Sequence, residues 1–175
     1  MSTDPRYPIG KYQEQPFSQQ QKEEWLNDIK FLPQELELTV QHLDAHQLQQ
    51  PYREGGWTIQ QLVHHIADSH SNAYIRFKLG LTEDSPTLKV YKEKEWVLLN
   101  DVESIPINVS VTLLHALHQR WYAAIKDLSD EQWQRTLFHP EYKKNLTLWF
   151  FLGLYAWHGK HHTAHIKEAP IYSGK

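Results

Sequence analysis

From Ser18 onward, apolar side chains recur every three or four residues. Trp25, Leu26, Ile29, Leu32, Leu36 and Val40 share one face of a helix that the spacing carries to about Leu43. Ser18 stands as its N-cap with Gln21 three residues later, and Pro33, which has no backbone N–H, predicts a kink. Before this helix Pro5, Pro8, Gly10 and Pro16 interrupt any period, so residues 1–17 read as an extended N-terminal arm. Pro51 and Gly55-Gly56 mark a connection. Thr58 and Gln61 then repeat the capping-box pattern ahead of Ile59, Leu62, Val63, Ile66, Ala73 and Phe77, which predict a second helix from Thr58 to Leu81.

Pro86 and Pro106 break the period from Thr82 to about Asn108, a crossover longer than a turn that holds a short helix near Glu93 to Asn100. A third helix reads from Val109 to Leu128 through Leu113, Leu114, Leu117, Trp121 and Ile125, and a fourth from Leu146 to Lys167. Four long helices with no alternating strand pattern predict an all-α protein, a four-helix bundle with a long crossover, in which residues 18–175 form one domain. A faint internal echo, LDAHQL from Leu43 and LSDEQW from Leu128, suggests two related halves, each leading from a helix end to a histidine-bearing helix.

Composition narrows the chemistry. The chain has 175 residues, enough to bury a core without a disulfide or a structural metal. Its 18 basic and 21 acidic residues are scattered, so nothing points to a nucleic-acid or membrane-surface partner. With no cysteine, any metal must be held by nitrogen or oxygen. The N-terminal stretch lacks a signal-peptide core, and the longest apolar run, Leu148 to Trp157, falls short of the roughly 20 residues a membrane span needs. A cytoplasmic location is expected.

Histidine is the unusual feature, with 12 in the chain. Counting 100° per residue from Leu148, His158 and His162 project at roughly 280° and 320°, on one face one turn apart, the spacing at which two imidazoles converge on a metal. His161 and His165 repeat the spacing on a neighbouring face and rank second. A histidine-rich helix end that merely caps the last carbonyls is the bland alternative. For a third ligand the second helix offers His64, His65 and His70. Counting from Ile59, His64 points at roughly 140°, toward solvent, while His65, at roughly 240°, borders the apolar stripe beside Ser69, Asn72 and Arg76. His65 is therefore the best third donor. His70 falls inside the stripe and reads as a hydrogen-bonded core residue, and His42, His46, His115, His118 and His139 carry no functional weight.

The arm YPIGKY, the segment PYREGGWTIQQLVHHIADSH, then YIRFKLGLTED, KVYKEKEW and the terminal YAWHGKHHTAHI together resemble the DinB-like superfamily, and more closely its YfiT-type branch of candidate metal-dependent hydrolases. The likeness spans nearly the whole chain. In such proteins the metal histidine follows a helix-opening Trp-Ser/Thr by about two turns, which selects His65 after Trp57-Thr58, and the last helix supplies a His-x-x-x-His pair, here His158 and His162. The resemblance further implies a four-helix bundle with a long crossover, a homodimer, a cytoplasmic location and one divalent ion, nickel or zinc.

Three imidazoles leave a coordination position open, so the leading expectation is a zinc-dependent hydrolase, with nickel as the second metal, acting on a small molecule. Asp68, His161 and His165 are candidates for catalytic proton transfer, and Arg53, Asn72 and Arg76 for substrate binding. A metal-dependent S-transferase activating a low-molecular-weight thiol is the second expectation. A metal-binding or sensing protein without turnover is the third.

Overall fold

The computed structural model describes residues 4–170; the first three residues of the predicted arm and the last five of the predicted domain lie outside the described residues. The first helix, α1, runs Gln19–Val40 from Ser18, whose side chain accepts the Gln21 N–H. It continues without interruption across Pro33, which is buried. A single capped turn, α2 (Ala45–Leu48), leads to the long helix α3 (Ile59–Thr82), where Thr58 and Gln61 form both halves of the predicted capping box.

The crossover folds as two short helices, α4 (Glu93–Trp96) and α5 (Asn100–Ser104), in place of the single one expected. Then come α6 (Ile107–Ile125), a second capped turn α7 (Asp130–Trp133), and α8 (Leu148–Lys167). The sequence echo has a structural meaning: Asp44 with Gln47, and Ser129 with Gln132, build the same capping box at the start of α2 and α7.

The expected four-helix bundle carries one small addition. Between α7 and α8 lies an antiparallel hairpin, β1 (Thr136–His139) and β2 (Lys144–Thr147), with Thr136 opposite Thr147 and Lys143 at φ 52° in the turn. Four residues per strand are too few to display an alternating pattern, and only Leu137 on β1 and Leu146 on β2 bring large apolar side chains to the core.

The strong pairings run α1 to α8, α8 to α3, α3 to α6 and α6 back to α1. Consecutive α1 and α3 therefore lie diagonally, and α3 packs beside α8. Two apolar clusters fill the interior, one around Trp25, Phe77, Trp121, Trp133 and Trp149, the other around Leu36, Ile59, Ile66 and Leu114. No helix among the described residues is long and apolar enough to cross a membrane.

The arm lies along α8. Tyr12 donates its hydroxyl to the Phe150 carbonyl at 3.2 Å, and the indoles of Trp149 and Trp157 donate to the carbonyls of Gln15 and Gly10 at 2.8 and 3.1 Å. Gly153 and Gly159 let α1 and the arm approach α8 this closely: a Cβ on Gly153 would meet Trp25 Cη2 at 2.5 Å and Tyr12 Oη at 2.6 Å. In an open helix Gly→Ala raises stability by up to about 1 kcal/mol. At Gly153 the overpacking against two ring systems reverses that sign, and Gly153→Ala is expected to cost about 1–3 kcal/mol, read as a lower urea midpoint. An unchanged or raised midpoint would contradict the contact.

Candidate metal centre

The Thr58 cap starts α3 so that His65 falls two turns into the helix, on the side facing α8. Thr147 caps α8 by accepting the Phe150 N–H at 3.0 Å and so sets the phase that carries His158 and His162 back toward α3. The three residues meet. One nitrogen from each of His65, His158 and His162 lies within 4.8 Å of the others, with His65 and His158 Nε2 atoms 3.3 Å apart. The ring centroids of His162 lie 5.0 Å from His65 and 4.5 Å from His158.

This donor set fits a divalent transition ion. Two imidazoles bound tetrahedrally at about 2.0–2.1 Å hold their nitrogens roughly 3.3 Å apart, the separation seen between His65 and His158. Burial pushes the His65 ring down to about 4, and burial together with the neighbouring imidazoles holds His158 and His162 well below the usual histidine range. All three are neutral at pH 7, the form in which imidazole coordinates. The buried Nδ1 of His65 has no hydrogen-bond partner among the described residues.

His161 and His165 also converge with His162. Their rings are engaged elsewhere: His161 stacks on Trp157 at 4.4 Å, His165 packs on Tyr52 at 4.1 Å, and His165 Nε2 lies 3.3 Å from the Arg6 carbonyl. The phase of α8 turns His161 and His165 beneath the arm, against Tyr7 and Arg6, while His162 faces His65.

The solvent-facing reading of His64 is corrected, and His118 acquires a defined place. His64 does not face solvent; it is buried, with Nδ1 2.8 Å from the Ser110 hydroxyl and Nε2 3.1 Å from the Ile105 carbonyl, because the crossover covers the outer face of α3. His118, set aside in the sequence, is buried between α1 and α3, with Nε2 3.0 Å from His70 Nδ1. His70 is a fully buried, hydrogen-bonded core residue, as its place on the stripe implies, and it also reaches His158 Nδ1 at 3.1 Å.

The other candidates separate. Arg76 lies in a cleft of ≈ 590 Å³ that opens on His158 and is lined also by Ser69, Tyr91, His139 and Tyr155. Its guanidinium donates to the Tyr155 hydroxyl and, at 3.4 Å, to the Lys89 carbonyl. His139, which the sequence gave no reason to weigh, enters this cleft because the hairpin carries it there, stacked on Tyr142 at 4.2 Å. Burial, then the charge of Arg76, lowers its pKa. Asp68 belongs to neither histidine cluster, although burial and then Asp101 raise it to about 6. Asn72 donates to the Asp68 carbonyl at 2.9 Å, and Arg53 is held over Tyr52, at the His165 end.

Burial lowers His118 from 6.5 to about 4, against the Ile29 carbonyl hydrogen bond that favours its charged form. Between these values the unfolded chain binds a proton that the native state excludes, so stability rises with pH across the window and falls on acidification. Urea midpoints of chelator-treated protein should drop steadily from pH 6.5 toward 4.5, and His118→Leu should flatten that slope by up to about one proton, roughly 1.4 kcal/mol per pH unit. A slope unaltered by the substitution would contradict the burial of a neutral ring there.

The DinB superfamily model matches residues 28–166. YfiT of Bacillus subtilis (strain 168), named a candidate metal-dependent hydrolase, is 46% identical over 163 residues, covering 93% of this chain and 92% of its own. A Bacillus cereus (strain B4264) protein of the same designation is 48% identical over 164 residues, covering 93% and 94%. The solved structure of YfiT from Bacillus subtilis, described as an unusual four-helix bundle topology, superposes with a TM-score of 0.93 at 44% identity over 97% of this chain and 98% of that one. The mycothiol-dependent maleylpyruvate isomerase shares the fold at a TM-score of 0.66 and 14% identity, over 83% of this chain and 60% of that one. The bundle thus has counterparts over nearly its whole length, and the chain belongs to the DinB superfamily, in the branch that includes YfiT.

Proposed function

We propose that the chain is a metal-dependent hydrolase whose single divalent ion, zinc before nickel, is held by His65, His158 and His162. The observation that carries this reading is the convergence of three neutral imidazoles from α3 and α8 at a cleft that opens on His158. When bound, such an ion acts as a Lewis acid, acidifying a coordinated water or thiol and polarising a substrate carbonyl. Three protein donors are one fewer than tetrahedral zinc takes, the pattern of a catalytic rather than a closed structural site.

The chain's own residues supply the rest. Arg76 forms no ion pair among the described residues, and with its guanidinium fixed by Tyr155 and Lys89 it offers a cation to an anionic group of the substrate. His139, neutral in the same cleft, is better placed than Asp68, His161 or His165 to exchange a proton with bound substrate. Arg53 and Asn72, tied to Tyr52 and to the α3 backbone, take a supporting part at most.

The same arrangement carries a second reading, an S-transferase for a low-molecular-weight thiol, favoured by Arg76, which suits a thiol bearing a carboxylate. A protein that binds metal but turns over nothing is the third. The reading extends to a homodimeric, cytoplasmic enzyme built as one domain over 18–175 behind the arm 1–17, acting on a small molecule, with neither nucleic acid nor membrane as partner. Exposed Leu98, Leu99, Val109 and Leu113 supply apolar surface of the kind self-association uses.

The test is a paired assay of zinc-loaded protein: a panel of small esters, amides and lactones followed for hydrolysis, and a carboxylate-bearing thiol with a model electrophile followed for conjugation. Hydrolysis that chelation abolishes, zinc restores and His65→Ala eliminates is the expected outcome; conjugation with those dependences selects the transferase. Arg76→Met should raise KM about tenfold or more for carboxylate-bearing substrates and change neutral ones less than about twofold. Turnover in neither assay with zinc bound would favour the sensing protein.

A further inference from the structure

A metal-binding histidine must keep the coordinating nitrogen bare and carry its proton on the other, which then needs an acceptor. The hydrogen bonds of the buried histidines determine where those protons are. The Ile29 carbonyl can only accept, and it is free to do so because the residue four ahead of it in α1 is Pro33, which has no N–H to return. His118 Nδ1, 2.5 Å from that carbonyl, therefore carries the proton, and in a neutral ring its Nε2 is bare. His118 Nε2 lies 3.0 Å from His70 Nδ1, which must donate. His70 Nε2 is then bare and lies 3.1 Å from His158 Nδ1, which must donate in turn. The bare atom left at the end of the chain is His158 Nε2, the atom 3.3 Å from His65.

A shorter chain ends on the arm. The Arg6 carbonyl accepts from His165 Nε2 at 3.3 Å, which leaves His165 Nδ1 bare; it lies 3.4 Å from His162 Nδ1, which donates. His162 Nε2 is then bare as well.

Building on the metal-centre reading above, we propose that two histidine relays, His118–His70 anchored on the Ile29 carbonyl and His165 anchored on the Arg6 carbonyl, fix the tautomers of His158 and His162 so that both present a bare Nε2 to the metal. His70, His118 and His165 are positioning residues, and Pro33 is the residue that makes the first relay possible. The second relay also decides between the two histidine clusters. His165 holds the His162 proton with one nitrogen and the Arg6 carbonyl with the other, so using it as a ligand requires breaking one of these bonds. Every member of both relays is neutral, so no carboxylate charge is set against the ion's own.

Long-range 1H–15N correlation spectra of the chelator-treated protein near pH 7.5 read the tautomers directly, without any substitution. The expected result is Nδ1–H for His118, His70, His158 and His162, and Nε2–H for His165. His118→Leu should shift His158 toward the Nε2–H form and weaken zinc binding, measured by competition with a chelator, by about 10–100-fold. His118→Gln can donate to Ile29 and accept from His70 through its amide, and should keep the His158 tautomer and an affinity within about threefold. A predominantly Nε2–H His158 in the wild-type spectrum overturns the proposal, as do Leu and Gln variants with equal zinc affinity. Zinc bound by a protein whose His158 is Nε2–H refutes the relay and leaves the metal assignment standing; the assigned tautomers in a protein that takes up no zinc support the relay and refute the metal assignment.

Discussion

A buried imidazole must remain neutral and is stabilised by a partner for its proton, and around His158 and His162 the interior of this bundle is arranged to supply one. His65, His70, His118, His158 and His162 are all pushed below the usual histidine range by burial. Five cationic rings so close together would repel and could not be solvated, so the packed state admits only their neutral forms. Neutrality leaves each ring one proton to place. The backbone carbonyls of Ile29 and Arg6 take up the ends of the two chains, and bare nitrogens accumulate where α3 meets α8. The same constraint that makes these rings expensive to bury makes them competent to coordinate.

The fold delivers the rings because α3 and α8 are neighbours while consecutive α1 and α3 are not. The diagonal arrangement requires α8 to pack against α1 on one side and α3 on the other. Gly153 and Gly159 allow the first contact, where Trp25, Tyr12 and Leu32 occupy the space a side chain would take. The capping threonines Thr58 and Thr147 set where each helix begins, and hence which residues turn toward the other. The arm contributes twice, by hydrogen bonding along α8 and by lending the Arg6 carbonyl to His165.

Much of this is legible in the sequence wherever the information is local. The Thr58–Gln61 capping box, the four long helices and the shared face of His158 and His162 follow from spacing alone, and the edge position of His65 on its stripe brings it to the same place. What depends on which element lies next to which is not legible. His64 points away from the bundle core, and the end of the crossover and the start of α6, whose placement no periodicity encodes, explain its burial against Ile105 and Ser110. His118 has no helical partner at four residues; its partner, His70, is on another helix, and its acceptor is an α1 carbonyl freed by Pro33, a residue whose pattern suggests a bend. His139 reaches the cleft on a hairpin with strands of four residues, too short to show alternation.

The most direct test of the account is metal content per chain by elemental analysis, on tag-free wild type and on His65→Ala, His158→Ala and His162→Ala. Near one zinc or nickel per wild-type chain, lost in all three variants while His161→Ala retains it, is the predicted result. No bound metal in the wild type after zinc is supplied, or undiminished metal in the three variants, would contradict it.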